Sequence, residues 1–478
     1  MRDRLTVVIL AAGQGTRFRS QRVKVLHSAG GRTLIEHVVH AAQGLSPHTI
    51  FIVVGHQAEA VIGRLKGSGI KNLKFIHQKE QLGTGHALRS GKRELAKASP
   101  LLLVLCGDTP LLTPHTLRKL VAAHRKSSAA ATVLTAEMDD PSGYGRIIRA
   151  EGGSNRRGEN RSITAIVEHK SASPEQLQIR EVNTSIYCFQ TQELFAALER
   201  VRPDPTTREY YLTDVIGLLA ARGHRVAGYK ASDSSEIIGI NSRAELARVD
   251  SLLRARKARQ LMLSGVTMFS PETVRIDPDV RVGADTEIEP GAILLGRTRI
   301  GKDCRIGAYS VITDSELADE VTIRPSCVIT ESRIARGASI GPFAHLRPGA
   351  EIGEEARVGN FVEVKKSRLG RGSKASHLTY LGDATIGKDV NVGCGSITVN
   401  YDGAHKHQTV VEDNAFVGSG ANLIAPVRIG RNAFVAAGST ISEDVPANAL
   451  AIGRARQTIK PGWVTRRKKK RATFQRKH

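Results

Sequence analysis

A six-residue hydrophobic period in the second half of the chain constrains its fold more than any other feature. An α-helix repeats about every 3.6 residues and a strand about every two, so neither produces this period. A parallel β-helix does, because each hexad forms one flat face and three faces close a coil around a stacked aliphatic core. Ordinary short strands with chance spacing would lose the phase within a few repeats. The branched apolar positions are Ile276, Val282, Ile288, Leu294, Ile300, Ile306 and Ile312, then Val411, Val417, Leu423, Ile429, Val435 and Ile441.

The length of the chain predicts more than one domain. Its 478 residues exceed the size at which a single core keeps growing. The hydrophobic fraction is 40%, yet no window approaches the roughly 18 uninterrupted apolar residues of a membrane helix. The opening segment, MRDRLTVVILAAG, has no small-residue cleavage site after its apolar run, so it indicates a strand and not a signal peptide. We therefore expect a cytoplasmic protein without membrane segments.

The cysteines and the net charge exclude or weaken other classes of protein. Five cysteines lie far apart without metal-binding spacing, which predicts reduced thiols in a reducing compartment. The net charge of +24 raises a nucleic-acid-binding alternative, but residues 460–478 alone hold nine Lys and Arg and no acid. The aromatic content of 4% leaves few side chains on which bases could stack. We expect residues 464–478 to form a disordered basic tail, and the remaining charge to attract polyanionic substrates.

The first half alternates apolar runs with a helical pattern. Residues 6–12, 49–55 and 101–108 are continuous apolar runs typical of buried parallel strands, and residues 33–42 have helical spacing. This alternation predicts a doubly wound, Rossmann-like α/β sheet, whose ligands bind beyond the carboxyl ends of the strands.

Two loops lie at those carboxyl ends. Gly13-x-Gly15 lacks the third glycine of a dinucleotide fingerprint and the Lys-Ser/Thr of a P-loop, so alone it is also typical of a structural turn. Its small residues would let the backbone approach a ring and a phosphate, while Arg17 and Lys24 add positive charge. Asp108 follows a buried strand and is placed to bind Mg²⁺, although a solvated turn residue fits the same position.

Seven short motifs in the first half of the chain occur in the same order as in a known enzyme family. In chain order they are LAAGQGTR, Lys24-Val25-Leu26-His27, Gln78 with Gln81-Leu82-Gly83-Thr84-Gly85-His86-Ala87, Gly107-Asp108, Gly143-Tyr144-Gly145-Arg146, Ile166-Val167-Glu168-His169-Lys170 and Val182-Asn183-Thr184. Together they closely resemble the uridyltransferase half of bacterial bifunctional N-acetylglucosamine-1-phosphate uridyltransferase/glucosamine-1-phosphate acetyltransferases, and the similarity covers residues 5–463.

The resemblance implies the contacts of a uridylyl-transfer site. A sugar phosphate would attack the α-phosphorus of UTP, so positioning, Mg²⁺ and the cationic Lys24 and Arg17 would provide the catalysis. Asp108 and Asn241 would bind Mg²⁺. Val23 departs from the proline that the family commonly has before the lysine, which loosens the expected loop backbone. The implied UDP-N-acetylglucosamine contacts are Leu10, Ala11, Ala12, Gly13, Lys24, Gln78, Gly83, Thr84, Gly107, Gly145, Glu168, Asn183 and Asn241.

A helical connector is predicted between the halves. Ser242 and Glu245 have the spacing of a capping box, and an apolar stripe with a basic opposite face follows until Gly265. We therefore divide the chain into a nucleotidyltransferase domain (1–241), a helical linker (242–264), a β-helix (265–463) and the tail (464–478).

The β-helix has features of a second reaction site. We expect its repeat to be interrupted at 365–385 and 400–408, and insertions in a solenoid project from the binding face. His377 differs from an isolated structural histidine because Lys365, Tyr380 and Asn391 lie within one or two coils of it.

This segment resembles the acetyltransferase half of the same family, which implies a left-handed β-helix despite the usual right-handed crossover. The resemblance implies that His377 takes the proton of the glucosamine 1-phosphate amine as that amine attacks acetyl-CoA. Cys394 stands where the family usually has an alanine at the acetyl-CoA, and we favour simple accommodation of the thiol. The implied sugar-phosphate contacts are Arg347, Lys365, Tyr380 and Asn391, and the implied acetyl-CoA contacts are Cys394, Asn400, Tyr401, Ser419, Ala437 and Arg454.

The resemblance therefore implies a two-site enzyme that supplies UDP-N-acetylglucosamine for cell-wall precursors. Its substrates would be glucosamine 1-phosphate, acetyl-CoA and UTP, and the family resemblance implies a homotrimer with acetyl-transfer sites between subunits. Two alternatives stay open: a nucleotidyltransferase that uses its β-helix only for assembly, which His377, Asn400, Tyr401 and Arg454 argue against, and a nucleic-acid-binding protein, which rests on the tail.

Overall fold

The computed structural model describes residues 4–70, 72–150 and 162–475. The chain divides into two compact units near residue 257. No helix in these residues is long and apolar enough to cross a membrane.

The first unit is built on a mixed sheet that is nine-stranded within the described residues, with its long path in the order β11-β7-β10-β6-β1-β4-β5. Strands β1, β4, β5 and β6 are parallel, and β10 lies antiparallel between β6 and β7. In chain order the elements are β1 (Leu5–Leu10), β2 (Ser28–Ala29), β3 (Arg32–Thr33), α1 (Leu34–Gln43), β4 (Thr49–Val54), α2 (Ala58–Gly67), β5 (Leu73–His77), α3 (Thr84–Ser90), α4 (Lys92–Ala98), β6 (Leu101–Cys106), α5 (Pro114–Ser127), β7 (Ala131–Glu137), β8 (Arg146–Arg149), β9 (Ile163–Val167), α6 (Pro174–Leu177), β10 (Glu181–Gln190), α7 (Thr191–Leu198), α8 (Asp214–Ala221), β11 (Val226–Lys230) and α9 (Arg243–Leu263).

The apolar runs form the strands that the sequence predicts. Val7, Val8 and Ile9 of β1 are fully buried, because helices cover both faces of a doubly wound sheet. The predicted helix at 33–42 is confirmed as α1, and Thr33 with Glu36 forms its capping box.

The second unit is a three-faced solenoid of parallel strands, the hexapeptide arrangement consistent with a left-handed β-helix. Its strands are β12 (Thr267–Met268), β13 (Arg275–Ile276), β14 (Arg281–Val282), β15 (Glu287–Ile288), β16 (Ile293–Leu295), β17 (Arg299–Ile300), β18 (Arg305–Ile306), β19 (Val311–Thr313), β20 (Glu316–Leu317), β21 (Thr322–Ile323), β22 (Val328–Thr330), β23 (Arg333–Ile334), β24 (Ser339–Ile340), β25 (His345–Leu346), β26 (Glu351–Ile352), β27 (Arg357–Asn360), β28 (Glu363–Lys365), β29 (Arg368–Leu369), β30 (Lys374–His377), β31 (Tyr380–Gly382), β32 (Ala384–Ile386), β33 (Asn391–Val392), β34 (Ile397–Val399), β35 (Thr409–Val411), β36 (Phe416–Val417), β37 (Asn422–Ile424), β38 (Val427–Ile429), β39 (Phe434–Val435), β40 (Thr440–Ile441) and β41 (Leu450–Ala451).

Up to β37 each strand pairs with the third strand after it, so every coil adds one strand to each face, and at the end β39 pairs with β41. Ile276, Leu294 and Ile312 stack in register along one face and are buried in the interior. The hexad pattern is therefore confirmed as the core of this unit.

One of the two expected interruptions is wrong. Residues 365–385 stay in the coil as the strands β28 to β32, with Val364, Leu369 and Leu381 buried in the core. The spacing changes there because steps such as Val364 to Leu369 are one residue shorter than a hexad, and no loop is inserted. Residues 400–408 do leave the repeat, between β34 and β35.

The connector and the tail are both helical. Helix α9 begins with the predicted capping box: the Glu245 amide donates to Ser242 Oγ, and the Ser242 amide donates to Glu245 Oε2. The expectation of disorder in the tail differs from the structure, in which α10 (Trp463–Gln475) follows the last coil. Lys and Arg favour helices intrinsically, and the Arg467 guanidinium lies over the Trp463 ring. Residues 476–478 lie outside the described residues.

Candidate active sites

The first candidate site lies at the carboxyl ends of β1 and β6. The Gly107 amide donates to the Leu10 carbonyl (3.0 Å), which joins the two loops that follow these strands. The Ile240 amide donates to the Asp108 carbonyl (3.2 Å), so Asn241 is brought to the same edge from far along the chain.

Three polar side chains converge at this edge. Lys24 Nζ donates to Asp108 Oδ2 at 2.5 Å and lies 3.5 Å from Asn241 Oδ1. The Asn241 backbone amide donates to Glu245 Oε2 (2.6 Å), so the start of α9 fixes the asparagine. Gly15 has a φ of +64°, and a Cβ there would lie 2.9 Å from Lys24 Cβ, so this turn leaves room for the lysine.

This cluster suits a divalent cation that also has phosphate ligands. Asp108 and Asn241 offer a carboxylate and an amide oxygen, which are ligand types that hard cations prefer. No group of three or more His, Cys, Asp or Glu side chains arranged for a metal ion occurs in the described residues. A cation here would therefore take its remaining ligands from substrate oxygens or water.

The residues that the resemblance implies hold the uridine nucleotide lie near the same edge: Leu10, Ala11, Ala12, Gly13, Gln78, Gly83 and Thr84. Ala11 and Ala12 are buried directly after β1. Gln78 follows β5, and its Nε2 donates to the Gly83 carbonyl (3.2 Å). Thr84 Oγ1 accepts the Leu212 amide (3.0 Å), so its hydroxyl anchors the start of α3 to a distant segment.

The resemblance implies that Gly145, Glu168 and Asn183 contact the sugar of UDP-N-acetylglucosamine, and these residues lie at β8 to β10 and their connections. The Asn183 amide donates to the Gly145 carbonyl (2.9 Å), and Asn183 Nδ2 donates to the Tyr187 hydroxyl (2.9 Å). Thr213 donates to Glu168 Oε1 (3.2 Å), and burial raises the pKa of the Glu168 carboxyl.

Arg17 is placed differently from Lys24. It lies exposed in the short 3-10 turn Thr16–Phe18, and within the described contacts it makes no hydrogen bond to Asp108 or Asn241. Of the two predicted cations, the structure thus places Lys24, and not Arg17, in contact with Asp108 and Asn241.

The second candidate site lies at one corner of the β-helix. His377 pairs in register with Asn360 of the preceding coil, and its Nδ1 lies 2.5 Å from Asn360 Oδ1. An amide oxygen can only accept, so Nδ1 carries the proton and Nε2 is left as a base. Asn391 lies on the same face one coil later, where it pairs with Lys374 and not with His377.

A group of cations lies on the adjacent face. Arg347 donates to Glu363 Oε1 (2.9 Å), and Glu363 pairs in register with Tyr380. The amine of Lys406 contacts that of Lys365, and this contact lowers the pKa of Lys365. Two neighbouring ammonium groups of this kind attract an anion between them.

Residues 400–408 project from the coil as an ordered loop. Asn400 Nδ2 donates to Asp383 Oδ2 (2.5 Å), and the Thr409 amide donates to the Asp383 carbonyl (3.2 Å), so one residue holds both ends of the loop. Hydrogen bonds to its carboxylate hold the pKa of Asp402 well below its usual range. Tyr401 is exposed beside these bonds.

The remaining predicted acetyl-CoA contacts form a column on successive coils. The Gly420 amide donates to the Cys394 carbonyl (2.7 Å), and the Gly438 amide donates to the Ser419 carbonyl (2.8 Å). Ala437 precedes Gly438, and Arg454 Cδ would lie 3.8 Å from a Cβ on that glycine. All five cysteines are free, and Cys394 is exposed.

Sequence reasoning missed four side chains of the second site: Asn360, Glu363, Asp383 and Lys406. Asn360 precedes His377 by 17 residues and Asp383 precedes Asn400 by 17, which is one coil, so the repeat length could have found both. Lys406 belongs to the loop outside the repeat, so no period points to it.

Comparison with known proteins shows similarity to nucleotidyltransferase and hexapeptide families and to bifunctional enzymes. The MobA-like NTP transferase domain family matches residues 7–262, the GMPPB C-terminal domain family matches 271–368, and the bacterial transferase hexapeptide family matches 408–443. A "Bifunctional protein GlmU" of Koribacter versatilis is 48% identical over 466 residues, covering 97% of each chain. One of Exiguobacterium sibiricum is 50% identical over 456 residues, covering 95% of this chain and 99% of its own.

Proposed function

The chain belongs to the bifunctional GlmU family, and on that premise we propose which of its residues perform each of two reactions. It is a nucleotidyltransferase and an acetyltransferase of UDP-N-acetylglucosamine biosynthesis. It transfers the acetyl group of acetyl-CoA to glucosamine 1-phosphate, then the uridylyl group of UTP to N-acetylglucosamine 1-phosphate with release of pyrophosphate.

Residues 1–241 would perform uridylyl transfer, and the observation that supports this most is the cluster of Lys24, Asp108 and Asn241. An oxygen of the sugar phosphate attacks the α-phosphorus, and pyrophosphate leaves with the bonding electron pair. Lys24 would neutralise charge that increases on the phosphate oxygens, and Arg17 would add to the field that attracts UTP. The small side chains of Ala11, Ala12 and Gly13 leave space for the nucleotide.

The family requires a divalent metal ion, and we propose Mg²⁺ held by Asp108 and Asn241. Their oxygens suit it, and triphosphate oxygens would complete its shell. When bound, Mg²⁺ would neutralise the triphosphate and align it for in-line attack. Lys24 donates to Asp108 in the present arrangement and would turn towards phosphate oxygens when the carboxylate binds the cation.

Residues 265–463 would perform acetyl transfer, with helix 242–264 as the linker. Nε2 of His377 would take a proton from the glucosamine nitrogen as that nitrogen attacks the thioester carbonyl. The C–S bond then breaks, and coenzyme A leaves with the electron pair. Asn360 holds the ring in the tautomer that this step needs.

The cations on the face adjacent to that of His377 would bind the sugar phosphate. Arg347, Lys365 and Lys406 provide the positive charge, and Tyr380 and Asn391 would complete the contacts. Acetyl-CoA would lie along the column of Cys394, Ser419 and Ala437, beside the projecting loop and Arg454.

Hexapeptide repeats indicate an oligomer, and we propose a homotrimer in the cytoplasm that serves cell-wall precursor synthesis. The corner beside His377 supports this assembly, because Phe343, Phe361 and Leu378 are large exposed apolar side chains on successive coils.

One assay tests the complete proposal. Purified protein is incubated with UTP, acetyl-CoA and glucosamine 1-phosphate, with each omitted in turn. We expect UDP-N-acetylglucosamine only from the full mixture, and N-acetylglucosamine 1-phosphate when UTP alone is omitted. Uridylylated product without acetyl-CoA, or no acetylated product with it, would contradict the assigned order or the second activity.

A further inference from the structure

A buried amide next to Lys24 has a side-chain partner that the two reactions do not explain. Val23 is 1% exposed, and its N–H donates to Gln57 Oε1 at 3.0 Å. The same side chain donates through Nε2 to the Gln21 carbonyl at 2.6 Å. Gln57 thus holds the backbone on both sides of residue 22, from the loop between β4 and α2.

Gln57 makes these bonds from an unfavourable backbone conformation. Its φ of 52° and ψ of 40° lie in the left-handed region, which glycine adopts more readily than glutamine. It precedes α2, but its side chain makes no capping hydrogen bond to that helix. The side-chain amide of Gln57 therefore bonds only to the backbone of residues 21–23 in the described contacts. Backbone strain of this kind is typical of functional positions.

The segment that Gln57 holds leads directly into the catalytic lysine. Lys24 begins the 3-10 turn Lys24–Leu26, and its Nζ reaches Asp108. Gly15 packs against the Lys24 Cβ, so the stem of the lysine has little freedom on that side. A shift of the Val23 backbone would displace Nζ from the carboxylate.

We propose that Gln57 is a positioning residue for uridylyl transfer. By its hydrogen bonds to the Val23 amide and the Gln21 carbonyl, it holds Lys24 in the position that the reaction needs. This inference rests on the role of Lys24 proposed above. In this role Gln57 acts through the loop, by its hydrogen bonds to the backbone of Gln21 and Val23.

The backbone of Val23 shows what would replace the glutamine. Its φ of −57° lies in the range that a proline ring fixes, and its ψ of 137° lies in the polyproline II region that proline also adopts. Proline also has no N–H, so it would remove the buried donor that Gln57 satisfies. A proline at position 23 would hold the loop by its own ring and make Gln57 largely redundant.

The first experiment replaces Gln57 by glycine, which relieves the left-handed strain and removes the amide. We expect Gln57→Gly to lower kcat/KM for uridylyl transfer by about five- to tenfold, the range of one neutral hydrogen bond. The melting temperature should stay near that of the parent, because strain relief offsets the lost bonds. Acetyl transfer measured on the same sample should not change. An equal loss of both activities with a lower melting temperature would overturn the proposal.

The second experiment is a rescue. In the Val23→Pro background we expect Gln57→Gly to have less than a twofold effect on uridylyl transfer, since the amide that it served is gone. A loss as large as in the parent would show that Gln57 does not act through Val23 and would overturn the proposal.

Two further variants separate the possible failures. Ser128→Gly relieves another left-handed residue of the same unit (φ 48°) and should leave uridylyl transfer unchanged. Lys24→Ala tests the premise: if it retains full activity, the role of Lys24 is wrong. If Lys24→Ala is inactive and Gln57→Gly is normal, only the positioning role is wrong.

Discussion

Nδ1 of His377 lies 2.5 Å from Oδ1 of Asn360, one coil earlier on the same face of the β-helix. Because the amide oxygen can only accept, this contact selects the tautomer whose Nε2 is free to take a proton. A histidine and an asparagine separated by one coil thus act as one unit.

His377→Ala should lower acetyl transfer by about a hundredfold or more, the scale of general-base catalysis. Asn360→Ala should give a smaller loss and change the pH dependence of acetyl transfer, because the ring is no longer held in one tautomer. Both variants are assayed for acetyl transfer and for uridylylation of supplied N-acetylglucosamine 1-phosphate, which should stay normal. Full acetyl transfer by His377→Ala would show that another group is the base.

Asp108→Ala should abolish uridylyl transfer and leave acetyl transfer intact, because only the first reaction uses the metal that Asp108 would bind. Excess chelator should have the same effect, with recovery on added Mg²⁺. The matched control is Asp139→Ala, which removes an exposed carboxylate paired with Arg180 in the same unit. Full uridylyl transfer in excess chelator would rule out the metal site.

Lys406→Met should raise the KM for glucosamine 1-phosphate by roughly tenfold, since it removes one of the two ammonium groups that would bind the phosphate. The pKa of Lys365 should then rise, because the neighbour that lowers it is gone. Salt should reduce the difference between the variant and its parent. Lys302→Met, on a distant coil, is the control; an equal change in both variants would indicate a general field effect and not a phosphate contact.

The solenoid could be predicted from sequence because its period is set by local packing. Every coil must return an aliphatic side chain such as Leu294 or Ile312 to the interior, so the spacing survives in the sequence. In sequence, the five-residue steps near Val364 resemble an insertion, because a shortened corner and an inserted loop both disturb the six-residue phase.

The candidate sites could be predicted less completely than the solenoid, because they depend on contacts between segments that are distant in sequence. The loops that follow two apolar runs predict Lys24 and Asp108, and the family resemblance adds Asn241. Their convergence depends on the Ile240 amide donating to the Asp108 carbonyl, a contact between distant segments. No pattern in the sequence indicates Gln57, because its proposed role depends on its left-handed backbone conformation and on its hydrogen bond to the Val23 amide.

Buried histidines should make the first unit acid-sensitive. Burial lowers the pKa of His124 from 6.5 to about 4, and its Nδ1 lies 2.8 Å from Thr132 Oγ1. As the pH falls, His124 is therefore protonated in the unfolded chain before it is protonated in the folded one. Its contribution to the free energy of unfolding is complete above pH 6.5 and is lost as the pH drops towards 4. Burial also lowers the pKa of His37 to about 4, so this histidine adds to the loss of stability between pH 6.5 and 4.

His124→Gln should flatten this decline in the free energy of unfolding, measured by urea denaturation between pH 7 and 4. The exposed His115→Gln is its control and should keep the parental slope. A parental slope in His124→Gln would show that other groups cause the acid sensitivity.

Mixing two inactive variants should restore the complete pathway. Asp108 and His377 belong to separate units with unrelated chemistry, so each variant keeps one working site. His377→Ala makes little acetylated intermediate, and Asp108→Ala makes it but cannot uridylylate it. If the intermediate diffuses freely, the mixture forms UDP-N-acetylglucosamine from UTP, acetyl-CoA and glucosamine 1-phosphate, after a lag in which N-acetylglucosamine 1-phosphate accumulates. Added N-acetylglucosamine 1-phosphate should shorten the lag. If the mixture stays inactive while each surviving half-reaction is normal, the intermediate is passed within one molecule and does not diffuse.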